Sequence, residues 1–311
     1  MLYVIRSAGE FARQEIRNQI DFEEQDRPVS IAGRQGLWAR ESAGGFGLKF
    51  LDEELIVRIQ YLPSTIGQTK SSMYLTTFLV NDSFAVDAGV LGYWMSTEDQ
   101  ARVTDVIITH SHLDHVGSLP IFLSNVYDGK RPPVRVYMTE PTYAAVEQHV
   151  FDGTTWARLN LLLEANPPLL EIHLIEANGE RQIGDVKVTT VPVDHPVPTI
   201  GMILEDESGS VAISSDTGPT DAFWKACQKA RNLKAVFLEC SFPNELESQS
   251  VSWGHLTPSL LKIELEKLGK PVRTLAVHLK ASCEDQVRAE LKALSLPHVE
   301  VVKPGEIYDF S

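Results

Sequence analysis

The chain has 311 residues, room for one large domain or two smaller ones, and its 43% hydrophobic and 23% charged content is that of an ordinary globular protein. A formal net charge of −14 gives a phosphate polymer no general attraction, which argues against extended nucleic acid as a partner but leaves room for a small anion held by bound metal. Cys227, Cys240 and Cys283 are odd in number, widely spaced and free of any C-x-x-C pair, so a disulfide framework and a cysteine zinc site are not indicated and a reducing cytosol fits best.

The N-terminal "MLYVIRSAGEFARQEIR" meets Glu10 before any apolar run long enough for a signal peptide, and no later stretch approaches the roughly 18 apolar residues of a membrane span. A cytoplasmic protein without a membrane partner is expected. Residues 1–50 are polar, charged and Gly-rich with no sustained period. They are read as an extension of unknown role: an extended arm, a homodimerisation element or a partly disordered segment. Residues 51–311 are read as the main folded domain. There "LIVRIQYL", "YLTTFLV" and "SFAVDAG" predict strands, with "NDS" as the hairpin turn between the last two. "STEDQARV" carries a Ser-x-x-Asp cap ahead of the buried strand "TDVIIT", and "EPTYAAVEQHV" predicts a helix with Pro in its first turn.

The second half repeats the order. Strands "VKVTTVPV", "TIGMILE" and "SVAISS" precede helix "PTDAFWKACQKARN", then strand "KAVFLE", helix "TPSLLKIELEKLG", strand "RTLAVH" and helix "EDQVRAELKAL". Strands followed by mixed strand and helix, twice over, predict two packed sheets with helices outside.

The stretch "VIITHSHLDHVGSLP" places three histidines and an aspartate within six residues at the mouth of a strand. In an extended segment, His110 and His112 point the same way and can grip one ion, while Asp114 and His115 follow where the chain must turn and can face a second. Imidazole with carboxylate and no thiolate suits zinc, manganese or iron. Further donors end other strands: His195 in "VPVDHPVP", Asp216 in "AISSDTG" and His278 in "TLAVHLK". Ligands collect at that edge of α/β sheets, so four strand ends carrying His or Asp form a pattern.

This arrangement resembles the metallo-β-lactamase superfamily and its H-x-H-x-D-H signature. The resemblance covers about residue 54 to the end and implies an α/β fold, the four-layer αβ/βα sandwich. It implies that His110, His112 and His195 hold one divalent transition-metal ion and Asp114, His115 and His278 another, with Asp216 between them; zinc is the expected metal, with manganese and iron as alternatives. Leu113 inside the signature, the segment "FLECSFPNE" and the later "WGHLTPSLLKIELEKL" are similar to the class II cyclic-nucleotide phosphodiesterases. That likeness implies attack of a metal-bridging hydroxide on phosphorus, hydrolysing a 3′,5′-cyclic nucleotide such as cyclic AMP to the 5′-monophosphate. A small phosphodiester substrate follows.

Pro120 departs from that branch, interrupting the apolar run after the signature, and is expected to change how the helix there starts. Alternatives on the same metal site are a ribonuclease Z-like RNA phosphodiesterase and a glyoxalase II-like thioesterase or lactonase. Outside catalysis stands a metal- or nucleotide-binding sensor, which would expect gaps in a ligand set that has none.

Asp114 and His255 are the candidate catalytic residues. His255 lies just before a helix capped by Thr257, where it could protonate the leaving oxygen, bind phosphate or merely fix its loop. Trp253, Trp224 and Phe242 are candidates for stacking on a base, Trp253 foremost because it adjoins His255; Trp224 fits core packing equally well. Cys240 reads as a small buried residue, Asp87 as a brace of the metal loop or a plain turn residue, and Asp194 as a ligand brace or a solvated carboxylate. Lys280 reads as a phosphate contact or an ordinary surface lysine, and His149, His173 and His298 as structural or exposed.

Overall fold

In the computed structural model, residues 57–64, 73–94 and 96–310 are described in full and 28–31, 34–40 and 46–50 by their backbone. The chain divides into two compact units, Met1–Glu54 and Leu55–Ser311. In the first, β1 (Pro28–Ile31), β2 (Arg34–Arg40) and β3 (Phe46–Phe50) form an antiparallel sheet. Ile31 pairs with Arg34, so two residues make the first hairpin. Sequence reading found no strand here, because the only alternation, Phe46, Leu48 and Phe50, spans five residues and is diluted by glycine.

In the second unit, β4 (Arg58–Tyr61), β5 (Phe78–Val80), β6 (Phe84–Val86), β7 (Asp105–Ile107), β8 (Val134–Met138) and β9 (Leu170–Leu174) belong to one seven-stranded sheet. A second holds β10 (Glu180–Ile183), β11 (Val186–Val193), β12 (Thr199–Glu205), β13 (Ser210–Ile213), β14 (Leu233–Glu239), β15 (Arg273–Val277) and β16 (Val299–Val301). The last strand, β17 (Ile307–Asp309), returns to the first sheet beside β4. Each sheet is antiparallel in its first part and parallel from β6 to β9 and from β13 to β16. The parallel connections carry the helices, among them Leu119–Val126, Glu140–His149, Ala222–Lys229, Pro258–Glu266 and Glu284–Ala293.

Alternation along the strands sorts side chains between layers. Phe78 and Val80 of β5, Ile107 of β7 and Tyr137 of β8 pack with Val188, Met202 and Phe237 of the other sheet, whereas Leu79, Val106 and Val136 pack with Leu119 and Phe122 of a helix. Tyr61, Phe78 and Phe237 make an edge-on aromatic ladder across the core, with centroids 4.9 and 5.4 Å apart. Truncating a ring buried in this way costs about 3–5 kcal/mol. The four-layer αβ/βα arrangement expected from sequence is the one observed.

The helix after the signature starts at Leu119 with Pro120 second, where a missing N–H removes no intrahelical bond. Pro120 is thus accommodated in the first turn of the helix. Among the described residues, no helix is long and apolar enough to cross a membrane.

Candidate metal centre

Parallel strands in one sheet end on one edge, and the functional side chains gather there. Asp87 follows β6, His110 to His115 follow β7, Asp216 follows β13, Glu239 ends β14 and His278 follows β15. Two antiparallel pairings make β11 run in the direction of β13, so His195, in the β11–β12 connection, emerges on the same side. Close backbone contacts hold the signature turn: the Asp114 carbonyl accepts from Thr76 N at 2.7 Å, and the His115 carbonyl from Ala88 N at 2.7 Å. A Cβ on Gly89 would lie 2.0 Å from the Asp114 carbonyl oxygen, so only glycine lets these segments meet.

Two sets of donor atoms result. His110, His112, His195 and Asp216 form one, Asp114, His115, Asp216 and His278 the other, and within each set the ligand atoms lie within 4.8 Å of one another. Asp216 is common to both. Its Oδ2 stands 3.8 Å from His110 Nε2 and its Oδ1 stands 3.2 Å from His115 Nε2, so each oxygen addresses a different set. His195 Nε2 and His112 Nδ1 face each other at 3.1 Å, and His278 Nε2 lies 3.2 Å from Asp114 Oδ2.

These residues fit divalent metal. His110 Nε2 and His115 Nε2 are buried without a hydrogen bond in the protein, a state that costs about 1–3 kcal/mol per group unless an ion takes the lone pair. Burial, and the cationic forms of neighbouring histidines, push His110, His112 and His195 below the usual imidazole range, keeping them neutral as ligands must be. Burial would push His115 down too, but the Asp216 and Asp87 carboxylates outweigh it and hold the ring well above the usual range. Burial likewise raises Asp216 less than His115 and His278 lower it, so it stays ionised. The pocket between these carboxylates demands positive charge.

Hydroxyls and carboxylates set the rings. Asp87 accepts from Thr109 N at 2.8 Å, Thr109 Oγ1 at 2.9 Å and His115 Nδ1 at 2.7 Å. Having given its proton to Asp87, Thr109 Oγ1 accepts from Ser215 Oγ at 2.9 Å and from His110 Nδ1 at 3.0 Å, which leaves His110 Nε2 with its lone pair towards Asp216. His195 Nδ1 donates to the Gly254 carbonyl at 2.9 Å, and Ser241 Oγ lies 3.0 Å from His278 Nδ1. Orientation of each ring through its far nitrogen is what a metal ligand requires.

His255 completes the edge. Its Nδ1 donates to Glu239 Oε1 at 2.8 Å, and Glu239 also accepts from Ser241 Oγ, Leu256 N and Thr217 N. Burial lowers the His255 imidazole less than Glu239 raises it, so it lies above its ordinary range. Its ring centroid is 5.1 Å from that of His195 and 5.6 Å from that of His278, which brings its free Nε2 to the rim of both sets.

All seven expected ligands, His110, His112, Asp114, His115, His195, Asp216 and His278, therefore converge, with His255 beside them. Trp253 is exposed and Phe242 half-buried, but Trp224 is buried in the core and donates to Glu264 Oε2 at 2.7 Å, which removes it as a stacking residue. Asp194 is exposed, and Cys240 is buried, its thiol pushed well above the usual range by burial and the Glu239 charge. Lys280 is not a bystander: its Nζ lies 3.3 Å from Asp114 Oδ2 and 3.4 Å from His278 Nε2. Sequence reading assigned no role to Thr109, Ser215 or Ser241. Their position beside ligands or at strand ends is the only signal they carry there.

The pattern of the beta-lactamase superfamily domain matches residues 77–279, which contain every one of these ligands. The chain belongs to that superfamily. The fold recurs in solved structures: the crystal structure of unliganded yeast PDE1 superposes with a TM-score of 0.68 over 82% of this chain and 99% of that one, at 16% identity. A 3′,5′-cyclic-nucleotide phosphodiesterase of Aliivibrio fischeri is 28% identical over 54% of this chain and 54% of its own length. A ribonuclease Z of Mycobacterium bovis is 26% identical over 49% of this chain and 57% of its own. The chain thus spans little more than half the length of the curated relatives it matches.

Proposed function

We propose that this superfamily member is a binuclear metal-dependent phosphodiesterase that hydrolyses the 3′ ester bond of a 3′,5′-cyclic nucleotide, with cyclic AMP the leading substrate and two zinc ions the leading cofactors. The observation that carries the reading is Asp216, whose two oxygens address two complete donor sets beside a Glu239-paired histidine. Bound divalent ions would supply a water acidified towards neutrality and positive charge facing the phosphoryl oxygens. His110, His112 and His195 would hold one ion, Asp114, His115 and His278 the second, and Asp216 would bridge them.

The remaining steps belong to the chain. Glu239 accepts from His255 Nδ1 and raises the basicity of the ring, which favours a proton on Nε2. In-line displacement at phosphorus needs that proton delivered to the leaving 3′-oxygen, an alkoxide too basic to depart alone. Lys280, beside Asp114, adds a point charge for a phosphoryl oxygen.

The relatives named cyclic-nucleotide phosphodiesterases support this substrate class, and the net charge of −14 disfavours the ribonuclease Z-like alternative, which must hold a long polyanion. The test is turnover by zinc-loaded protein of cyclic AMP, cyclic GMP, bis(p-nitrophenyl) phosphate, a glutathione thioester and a precursor tRNA. Activity on the cyclic nucleotides is expected. Activity confined to the thioester or the tRNA refutes the substrate assignment.

A further inference from the structure

We infer that Trp253, backed by Phe242, is the platform on which the base of the substrate stacks; this rests on the cyclic-nucleotide reading above and adds which part of the nucleotide is recognised, and where. Trp253 is 46% exposed, at the point where the chain passes from exposed Val251 and Ser252 to buried Gly254 and His255. It is nevertheless held in place. It closes the helix Glu247–Ser252, its backbone N–H bonding the Gln249 and Ser250 carbonyls at 2.9 and 3.2 Å.

The next residue fixes its distance from the metal centre. Gly254 has φ +67°, and its carbonyl receives His195 Nδ1 at 2.9 Å. A Cβ there would stand 2.5 Å from Pro196 Cδ and 2.9 Å from His195 Nδ1, so the Trp253–His255 segment is pressed onto the His195 loop as closely as glycine permits.

From Trp253 an aromatic wall leads to the site. Phe242 lies 5.0 Å from Trp253 at 56°, and 5.6 Å from His255 at 66°. With phosphorus between the two donor sets and the leaving oxygen at His255, the ribose is fixed by connectivity, because that oxygen is its own 3′ substituent. The nucleoside therefore extends from the phosphate on the His255 side, where the wall begins. A second groove, lined by Pro141, Leu174, Ile175, Val193 and Val197 with Glu140 and Glu176, borders His195 but not His255. It is reached past His195 and not past the proton donor, so it does not suit the base. Stacking reads ring area and not the hydrogen-bonding edge, so purines are favoured over pyrimidines while adenine and guanine differ little.

The experiment compares wild type, Trp253→Ala and Trp253→Phe, each with verified metal content and circular dichroism, on cyclic AMP, cyclic CMP and the cyclic phosphate of abasic ribose. Trp253→Ala is expected to raise KM for cyclic AMP about 5- to 150-fold, the equivalent of one stacked base, with kcat changed less, and Trp253→Phe to restore most of the loss. The preference of wild type for the base-bearing substrate should collapse in Trp253→Ala. An unchanged KM, or an equal penalty on the abasic substrate, overturns the platform, and loss on Val193→Arg in place of Trp253→Ala moves the base to the second groove. Should wild type hydrolyse no cyclic nucleotide, the substrate reading fails by itself, and calorimetry with 5′-AMP and ribose 5-phosphate decides the platform. Tighter binding of 5′-AMP that Trp253→Ala abolishes retains it; equal binding of the two ligands removes it.

Discussion

Replacing Asp87 by Asn tests whether ligand orientation is what gives this centre its affinity for metal. Both carboxylate oxygens of Asp87 accept from protein donors, Oδ1 from Thr109 N and Oδ2 from Thr109 Oγ1 and His115 Nδ1. An amide offers one acceptor only. If its oxygen replaces Oδ2, its NH2 faces the Thr109 N–H; if it replaces Oδ1, the NH2 faces the His115 ring and the Thr109 hydroxyl. Either way a buried donor meets a donor, at a cost of about 1–3 kcal/mol. The relief available is for His115 to swing or change tautomer, and then its Nε2 no longer addresses the site. The loss converts to about 5- to 150-fold in metal affinity, in line with the 10–100-fold that outer partners of metal ligands usually contribute. Elemental analysis across a chelator series, following zinc retained per chain in wild type and Asp87→Asn, measures it. Wild-type retention by a folded Asp87→Asn protein would show that His115 is oriented by something else.

Asp216→Ala removes the group shared by both donor sets, so elemental analysis should find fewer than two metals per chain and turnover should fall to background; two retained metals with full activity would take Asp216 out of the bridge. His255→Gln should slow hydrolysis of a cyclic nucleotide by about 10²- to 10⁴-fold, and hydrolysis of a p-nitrophenyl ester far less, because p-nitrophenolate departs without a proton; equal losses on both would deny His255 the acid role. Glu239→Gln should shift the alkaline limb of the pH–rate profile to lower pH, since His255 must be protonated to act as the acid and Glu239 is what raises it; an unmoved limb contradicts that coupling. For Asp105, burial is outweighed by Arg135, Thr104 and Tyr137, which hold its carboxyl below the usual range. Its contribution is complete above the unfolded value near 3.8 and is lost as pH falls through the folded one, so Asp105→Asn should cost about 1–2 kcal/mol by urea unfolding at pH 7, and less near pH 3.

The candidate donor set was legible because ligation needs particular residue types and the fold sets them at strand ends, where a turn residue interrupts an apolar run. His110, His112, Asp114 and His115 are close enough in sequence to signal by themselves. The hydroxyls around them were not legible. Thr109 meets Ser215 across 106 residues and Ser241 meets His278 across 37, and a serine carries no mark of a partner so distant. β9 and β10 went unread because their burial is slight, three of four residues exposed in β10 and one of five buried in β9, whereas β8 went unread although four of its five residues are buried, its apolar run being broken by Arg135. Pro120 could be interpreted only once its place in the helix was known. It counts as a breaker inside a helix but not in the first turn, and the helix boundary was the part of the pattern the sequence left ambiguous.

Backbone strain joins the two halves of the fold into one site. Asp87, Ser215 and His278 adopt φ of 63°, 56° and 63°, the left-handed region that costs residues other than glycine about 1–2 kcal/mol each. All three stand just past the ends of β6, β13 and β15, within the parallel parts of the two sheets. A strand that continued straight would carry its next side chain past the edge; a left-handed residue turns the chain at once and leaves it facing the opposite sheet. Hydrogen bonds hold each of them: Asp87 accepts from Thr109, Thr109 accepts from the Ser215 hydroxyl, and His278 lies against Ser241, whose hydroxyl donates to Glu239. The strain is thus over-determined by bonds that also orient ligands. Ser215→Gly separates the two effects: it relieves the strain while deleting the Oγ bond to Thr109. Weakened zinc retention, with the thermal stability of the metal-free protein nearly unchanged because relieved strain offsets the lost bond, is the expected outcome, and unchanged zinc retention would contradict it.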